Sequence, residues 1–141
     1  MRFFFDRCTP GRVVKMLACL EPKLTISHHD DDQRFDQATK DIEWIPAIGN
    51  DKPSWIVLSF DNRILTKPEE LTELRKANLT FFCFDKHWSS MGIYEQAWKL
   101  IKVWPDIREK SQTLQPTTFK VSAGQSLKIE TLGLTVKLNS K

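Results

Sequence analysis

The 141-residue chain predicts an α/β domain of three layers, a mainly parallel sheet with helices on both faces. Three observations carry that expectation. Short apolar runs alternate with amphipathic stretches from residue 2 to about 108, the pattern of successive βαβ units. Three of the runs, "FFFD", "IVLSFD" and "FFCFD", end in an acid, as buried strands do where they reach the rim of an open sheet. From about Thr117 the period drops to two, with Leu132, Leu134, Val136 and Leu138 alternating with Thr131, Gly133, Thr135 and Lys137. That change predicts a C-terminal β-hairpin extension over residues 111–141, packed on or beside a main domain of residues 1–110.

"RFFF" is the first strand. Thr9-Pro10 reads as an N-cap followed by Pro at the first helical position, and the helix carries Val13, Val14, Leu17, Ala18 and Leu20. "KLTIS" is the second strand. In "ATKDIEWIPAIG" the residues Ile42, Ile45 and Ile48 recur at helical spacing, Gly49 is a stop, and Pro46 either lies near the helix start or kinks it. "SWIVLSF" is the third strand. Thr66 to Glu69 has capping-box spacing and opens a helix through Lys76. "LTFFCF" is the fourth strand. In "SMGIYEQAWKLIKVWP" one face collects Tyr94, Ala97, Trp98, Ile101 and Trp104, which predicts a core-facing helix. Trp88, beside Lys86 and His87, is the aromatic expected in an exposed loop. Ala123-Gly124 is a turn in the hairpin.

Composition excludes several classes. No apolar run approaches a membrane span, and three apolar residues after Met1-Arg2 do not make a signal peptide. Cys8, Cys19 and Cys83 are odd in number and lack CxxC spacing, so they predict reduced thiols and a cytoplasmic protein. The net charge of +3 is unevenly spread. From Lys99 onward eight Lys and Arg face three acids, whereas residues 1–98 carry thirteen against fifteen. Basic ends around an acidic middle suit a polyanionic partner, although solvated surface charge is the commoner meaning of such a pattern.

The densest group of ligand-type side chains is "ISHHDDDQRFD", residues 26–36. If the second strand continues, His28 and His29 point to opposite faces and cannot share a metal. His87 is the only other histidine, which leaves no second pair for a zinc site. His28 is kept as a residue that could line the sheet rim. Asp36 is a weaker candidate in the same loop.

The chemistry is better placed on three isolated aspartates. Asp6 follows the first strand and Asp61 the third, so both belong at the carboxyl rim where open α/β sheets bind ligands. Asp41 opens the helix before the third strand and can face the same rim. Three converging carboxylates repel one another unless a cation neutralises them, and all-oxygen ligands favour Mg²⁺ or Mn²⁺ over zinc. Such a site suits metal-assisted phosphodiester hydrolysis. The plainer role of a strand-end aspartate is to cap the helix that follows.

In order, "MRFFFDRCTPGRVVKML", "DIEWIP", "IVLSFDNRIL" and "YEQAWKLIKVWP" resemble the PIN-like (Rossmann-like) domains, and their spacing is similar to the compact group of VapC-type toxins. The resemblance spans residues 2 to about 104. It implies an Mg²⁺- or Mn²⁺-dependent ribonuclease, often the toxin of a toxin–antitoxin pair, with RNA as substrate and an antitoxin as partner. It implies that Asp6, Asp41 and Asp61 are metal ligands and that Ser59 bonds a carboxylate or phosphate. Glu43 would be an alternate or outer acid, and Asp85 a fourth acid by position. Arg7 departs from the family pattern and would contact the scissile phosphate. Arg63, Lys67 and Arg12 would hold the RNA backbone. Asn62-Arg63 stands where the family often has a further acid. Two other readings remain. One is a PIN-like domain that binds RNA or protein without cutting. The other is a receiver-like regulatory domain, which the single acid before Arg7 disfavours. A homodimer through the hairpin and the aromatic helix is the last expectation.

Overall fold

A computed structural model describes residues 1–132. Its one sheet has the order β2-β1-β3-β4-β5-β6. β1 (Arg2–Phe5), β2 (Thr25–His28), β3 (Trp55–Ser59), β4 (Thr80–Phe84) and β5 (Thr118–Ser122) are parallel, and β6 (Lys128–Thr131) pairs antiparallel with β5. The helices are α1 (Gly11–Leu20), α2 (Asp41–Gly49), α3 (Pro68–Ala77), the short α4 (Lys86–Ser90) and α5 (Ile93–Lys110). This is the mainly parallel three-layer architecture expected from the alternation. The tail expectation divides. β5 joins the sheet as a parallel strand, the turn spans residues 123–127, and β6 starts the antiparallel part. The alternating residues Leu134, Val136 and Leu138 lie outside the described residues.

Strand alternation sorts the core into two layers. Phe3, Phe5, Leu58, Phe82 and Phe84 pack with α1 and α5. Phe4, Val57, Phe81 and Cys83 point the other way and pack with Trp44, Ile45 and Ile48 of α2 and Leu74 of α3. Every residue of β3 is buried, as a central parallel strand covered on both faces must be.

Local details differ from the sequence expectations for physical reasons. Thr9 does not cap α1. The residue preceding the helix is Pro10, and Thr9 is buried with its hydroxyl on Asp6. Ile42 is 37% exposed, and Trp44 takes the core position expected of it. Pro46 lies inside α2, which continues to Gly49. The capping box expected at Thr66 is absent. Thr66 instead donates to the Arg63 carbonyl, and α3 starts with Pro68 in its first turn. The reciprocal half of a capping box occurs at α2, where the Lys40 N–H donates to Glu43 at 2.8 Å.

Two tryptophans depart from the sequence expectation. Trp88 is fully buried on α4 against Phe60 and Phe84, so it is not in an exposed loop. On α5 the core face is Gln96, Leu100, Val103, Trp104 and Ile107. Tyr94, Trp98 and Ile101 of the predicted face point to solvent. Helical spacing groups residues into stripes; here two stripes compete, and the wider one faces the sheet.

At Gly49 α2 lies close against Ala77 of α3. A Cβ there would meet the Ala77 Cβ at 2.8 Å. Gly49→Ala is expected to lose about 1–3 kcal/mol by overpacking, read from the urea midpoint. Gly92→Ser, at a position with open space around it, serves as the near-neutral control.

Candidate active site

The strand order turns back at β1, which lies between β2 and β3. The crevice at such a switch point opens beyond the carboxyl ends of the strands. Here it is a cleft of about 670 Å³ lined by Asp6, Asp41, Asp61 and Glu70, with Arg7, Lys40, Arg63 and Lys67 among the basic residues around them.

Asp6 is the first residue past β1 and is 6% exposed. Its backbone N–H still pairs with the Leu58 carbonyl, which fixes it at the end of β1 beside β3. Ser59 donates its hydroxyl to Asp6 Oδ2 at 2.6 Å, and Thr9 donates to Oδ1 at 3.3 Å. Burial pushes the Asp6 carboxyl up to about 7. The Ser59 bond opposes this, and the charges of Asp41 and Asp61 add to it.

Asp61 is two residues beyond the end of β3, at the start of a 3-10 turn over Asn62–Thr66. Its N–H donates to Ser59 Oγ at 3.0 Å, so one serine ties both strand ends together. The Arg63 guanidinium clasps Asp61 through two bonds of 2.9 and 3.0 Å. Burial works to raise the Asp61 carboxyl, but the hydrogen bonds and charge of Arg63 outweigh it and hold the carboxyl below its ordinary range. Cys8 donates its thiol to Asp61 at 3.7 Å. Burial and then the charges of Asp6 and Asp61 push this thiol up to about 12, so it stays protonated and is no nucleophile.

Asp41 begins α2, where a carboxylate complements the helix N-terminus. The Trp44 indole N–H holds it at 2.7 Å. Trp44 is itself set edge-on to His29, with ring centroids 6.1 Å apart. Glu70 comes from the first turn of α3 and was not foreseen. It is 9% exposed, its Oε2 is buried without a hydrogen-bond partner, and Lys67 lies 3.7 Å from Oε1. Burial, followed by a hydrogen bond to Asp41 and that residue's charge, pushes Glu70 up to about 7. The sequence signal was "TKPEE", an acid pair in a Pro-led helix turn. Nothing local says which acid of the pair turns inward.

The structure therefore brings together Asp6, Asp41 and Asp61, with Ser59, Arg7 and Arg63 beside them. It does not bring in the two secondary acids. Glu43 is exposed and its carboxylate is used by the Lys40 N–H. Asp85 caps α4 through the His87 N–H at 3.1 Å. Arg7 is anchored on the Gln37 carbonyl at the cleft wall. Arg12 lines a separate groove between α1 and α5. His28 is 2% exposed and does not line the cleft. Its Nε2 lies 2.7 Å from the Thr9 carbonyl and its Nδ1 accepts the Asp30 N–H at 3.1 Å, which sets Nε2 as the protonated nitrogen. His29, its neighbour, lines the cleft wall instead.

The donor chemistry fits a hard divalent cation. Asp6, Asp41, Asp61 and Glu70 share one cleft with the exposed Glu69, two of the acids are driven toward protonation, and one buried carboxylate oxygen has no partner. As the side chains stand, no group of three His, Cys, Asp or Glu among the described residues is arranged to hold a metal ion. Arg63 and Lys67 sit at two of the acids instead.

A parallel α/β sheet with an acid-lined cleft at its switch point defines the class. Within it, the family model described as PIN like domain matches residues 1–86, and the chain belongs to that family. Neither a curated protein nor a solved structure matches the chain.

The raised carboxyls give a signed pH prediction. With its folded value near 7, Asp6 holds a proton that the unfolded chain releases above about 4. Glu70 acts in the same direction. Their contribution to stability is fully present below the unfolded value and is lost as pH rises through 7. In metal-free buffer, thermal scans of Asp6→Asn should show a shallower fall in Tm between pH 5 and 8 than wild type, and a higher Tm than wild type at pH 8. An unchanged slope would contradict the burial argument.

Proposed function

We propose that this PIN-like protein is a metal-dependent ribonuclease. The observation that supports this most is the convergence of Asp6, Asp41, Asp61 and Glu70 in one cleft whose margin is basic. Asp6, Asp41, Asp61 and Glu70 would hold Mg²⁺ or Mn²⁺. When bound, such an ion lowers the pKa of a water and stabilises the charge that develops on a phosphate under attack.

The chain's own residues do the rest. Ser59 fixes the rotamer of Asp6 and the backbone of Asp61 together, so the two strand-end acids keep their spacing. Trp44 orients Asp41. Burial, with Asp41 close by, pushes Glu70 toward its protonated form; a cation held in the cleft would favour its carboxylate. Arg63 is exposed enough to turn from Asp61 to a phosphate oxygen once a metal takes its place. Arg7, Lys40 and Lys67 give the margin the positive charge that a phosphodiester backbone requires. The resemblance to VapC-type sequences extends the reading to a toxin restrained by an antitoxin.

The test incubates purified protein with RNA and Mn²⁺ beside Asp6→Asn, Asp61→Asn and Glu70→Gln. Each variant should lose on the order of 100-fold or more in cleavage rate, as removal of a metal ligand does. Undiminished cleavage by the variants would reject this site. RNA binding with no cleavage by wild type would favour a non-catalytic binding domain.

A second prediction uses metal affinity alone. Arg63→Gln frees Asp61 from its internal cation and should tighten Mn²⁺ binding several-fold, read as the loss of the free Mn²⁺ signal in electron paramagnetic resonance.

A further inference from the structure

The cleft leaves one surface unexplained. On α5, Tyr94 is 88% exposed, Trp98 52% and Ile101 42%. They lie at i, i+4 and i+7, opposite the core face. Trp44, Trp55, Trp88 and Trp104 are all buried, so Trp98 is the tryptophan that presents its ring to solvent. Two ammonium groups flank that ring, Lys99 at 5.6 Å and Lys102 at 6.0 Å from its centroid. The groove beside Tyr94 has a volume of about 250 Å³ and is walled by Val13, Met16, Ile93 and Ala97, with Arg12 of α1 in its lining.

We propose that Tyr94 and Trp98 form a stacking track for single-stranded RNA, leading away from the carboxylate cleft. The ligand is taken from the ribonuclease reading above. Three features argue for it. The first is the pairing of exposed aromatic rings with cations, the combination that binds single strands without sequence preference: bases stack on the rings and the cations follow the backbone. Along a helix, Tyr94 and Trp98 are about 6 Å apart, which leaves each ring free to take its own base.

The second feature is continuity with the cleft. α1 starts at Gly11, five residues past Asp6, and α5 follows β4 after the short α4. Arg12 and Tyr94 therefore lie at the end of their layer that faces the same rim as Asp6 and Asp61. On the proposed track a strand would meet Arg12 and Tyr94 at the groove they share, and Trp98 one turn further along α5. Beyond Ile101 the outward side carries Asp106 and Glu109, which would repel phosphates and end the track.

The third feature is charge. Lys99 is paired with Glu95 at 2.8 Å, while Arg12 and Lys102 add positive charge on either side of the stripe. Arg12 and Lys102 have no carboxylate partner in a salt bridge among the described residues, so their charge is available to a polyanion.

Binding is measured in EDTA, without cleavage, using the full chain and a fluorescein-labelled oligouridylate of about a dozen nucleotides. The oligonucleotide should quench intrinsic tryptophan fluorescence, and the quenching should vanish in Trp98→Phe while most of the affinity stays. Trp98→Ala and Tyr94→Ala should each weaken binding by about 5-fold or more, the lower end of one lost base stack. A duplex of the same length should bind with little quenching. Affinity in Trp98→Ala and Tyr94→Ala equal to wild type would overturn the track, as would concentration-dependent dimers in sedimentation that Trp98→Ala abolishes without changing RNA affinity. The two readings fail separately. Wild-type cleavage with unaltered oligouridylate binding by these variants rejects the track and keeps the nuclease. Aromatic-dependent quenching in a wild type that does not cut RNA keeps the track and rejects the nuclease.

Discussion

A carboxyl buried at the junction of β1 and β3 constrains much of the architecture around it. Asp6 is held there by the strand itself, since its N–H completes the ladder to Leu58. At 6% exposure the side chain is nearly closed off from water, so its polar atoms need partners inside the protein. Thr9 and Ser59 supply them. That requirement explains why Thr9 gives up the helix cap the sequence offers it. It also gives Ser59 its place: one hydroxyl serves Asp6 and receives the Asp61 N–H. The start of α1 and the turn after β3 are thereby fixed relative to one side chain.

The same constraint gives the histidine-aspartate run its meaning. His28 braces the Thr9 carbonyl from beneath, and Thr9 in turn bonds Asp6. His29 stacks on Phe35 and meets Trp44 edge-on, and Trp44 orients Asp41. Asp32 is spent on Arg34, which also reaches Asp51. The segment thus acts through other residues, supporting two of the acids from behind.

How much of this was legible depends on how far each signal reaches along the chain. Asp6, Asp41 and Asp61 were readable because a strand end or a helix start places them almost by itself, and the parallel sheet followed from alternation. Glu70 was not, because its position depends on how α3 packs beside α2, through contacts between helices such as Gly49 against Ala77. Asp85 and Glu43 misled for the converse reason. Both have the local pattern of site acids, but α4 and α2 use them as caps. On α5 Trp104 keeps its expected place in the core while Tyr94, Trp98 and Ile101 do not, because aromatic residues occupy both sides of the helix and periodicity alone does not say which side meets the sheet. Trp88 followed the same logic, since a five-residue helix leaves almost no periodic trace.

Electrostatics connects the two halves of the functional reading. Asp6, Asp41, Asp61 and Glu70 repel one another when all are ionised, and the chain meets this in two ways. Asp6 and Glu70 are pushed toward protonation, and Asp61 is neutralised by Arg63. Each of these is reversible by a divalent cation, which would release protons from the first pair and the guanidinium from Asp61. A freed Arg63 would then add to the positive margin at the moment a phosphate arrives. Metal binding and backbone binding would thus be coupled through one side chain, with no movement of the sheet. In the proposed nuclease such a coupling would favour cutting only where both ligands are present, and would leave recognition of the strand to the basic residues at the rim.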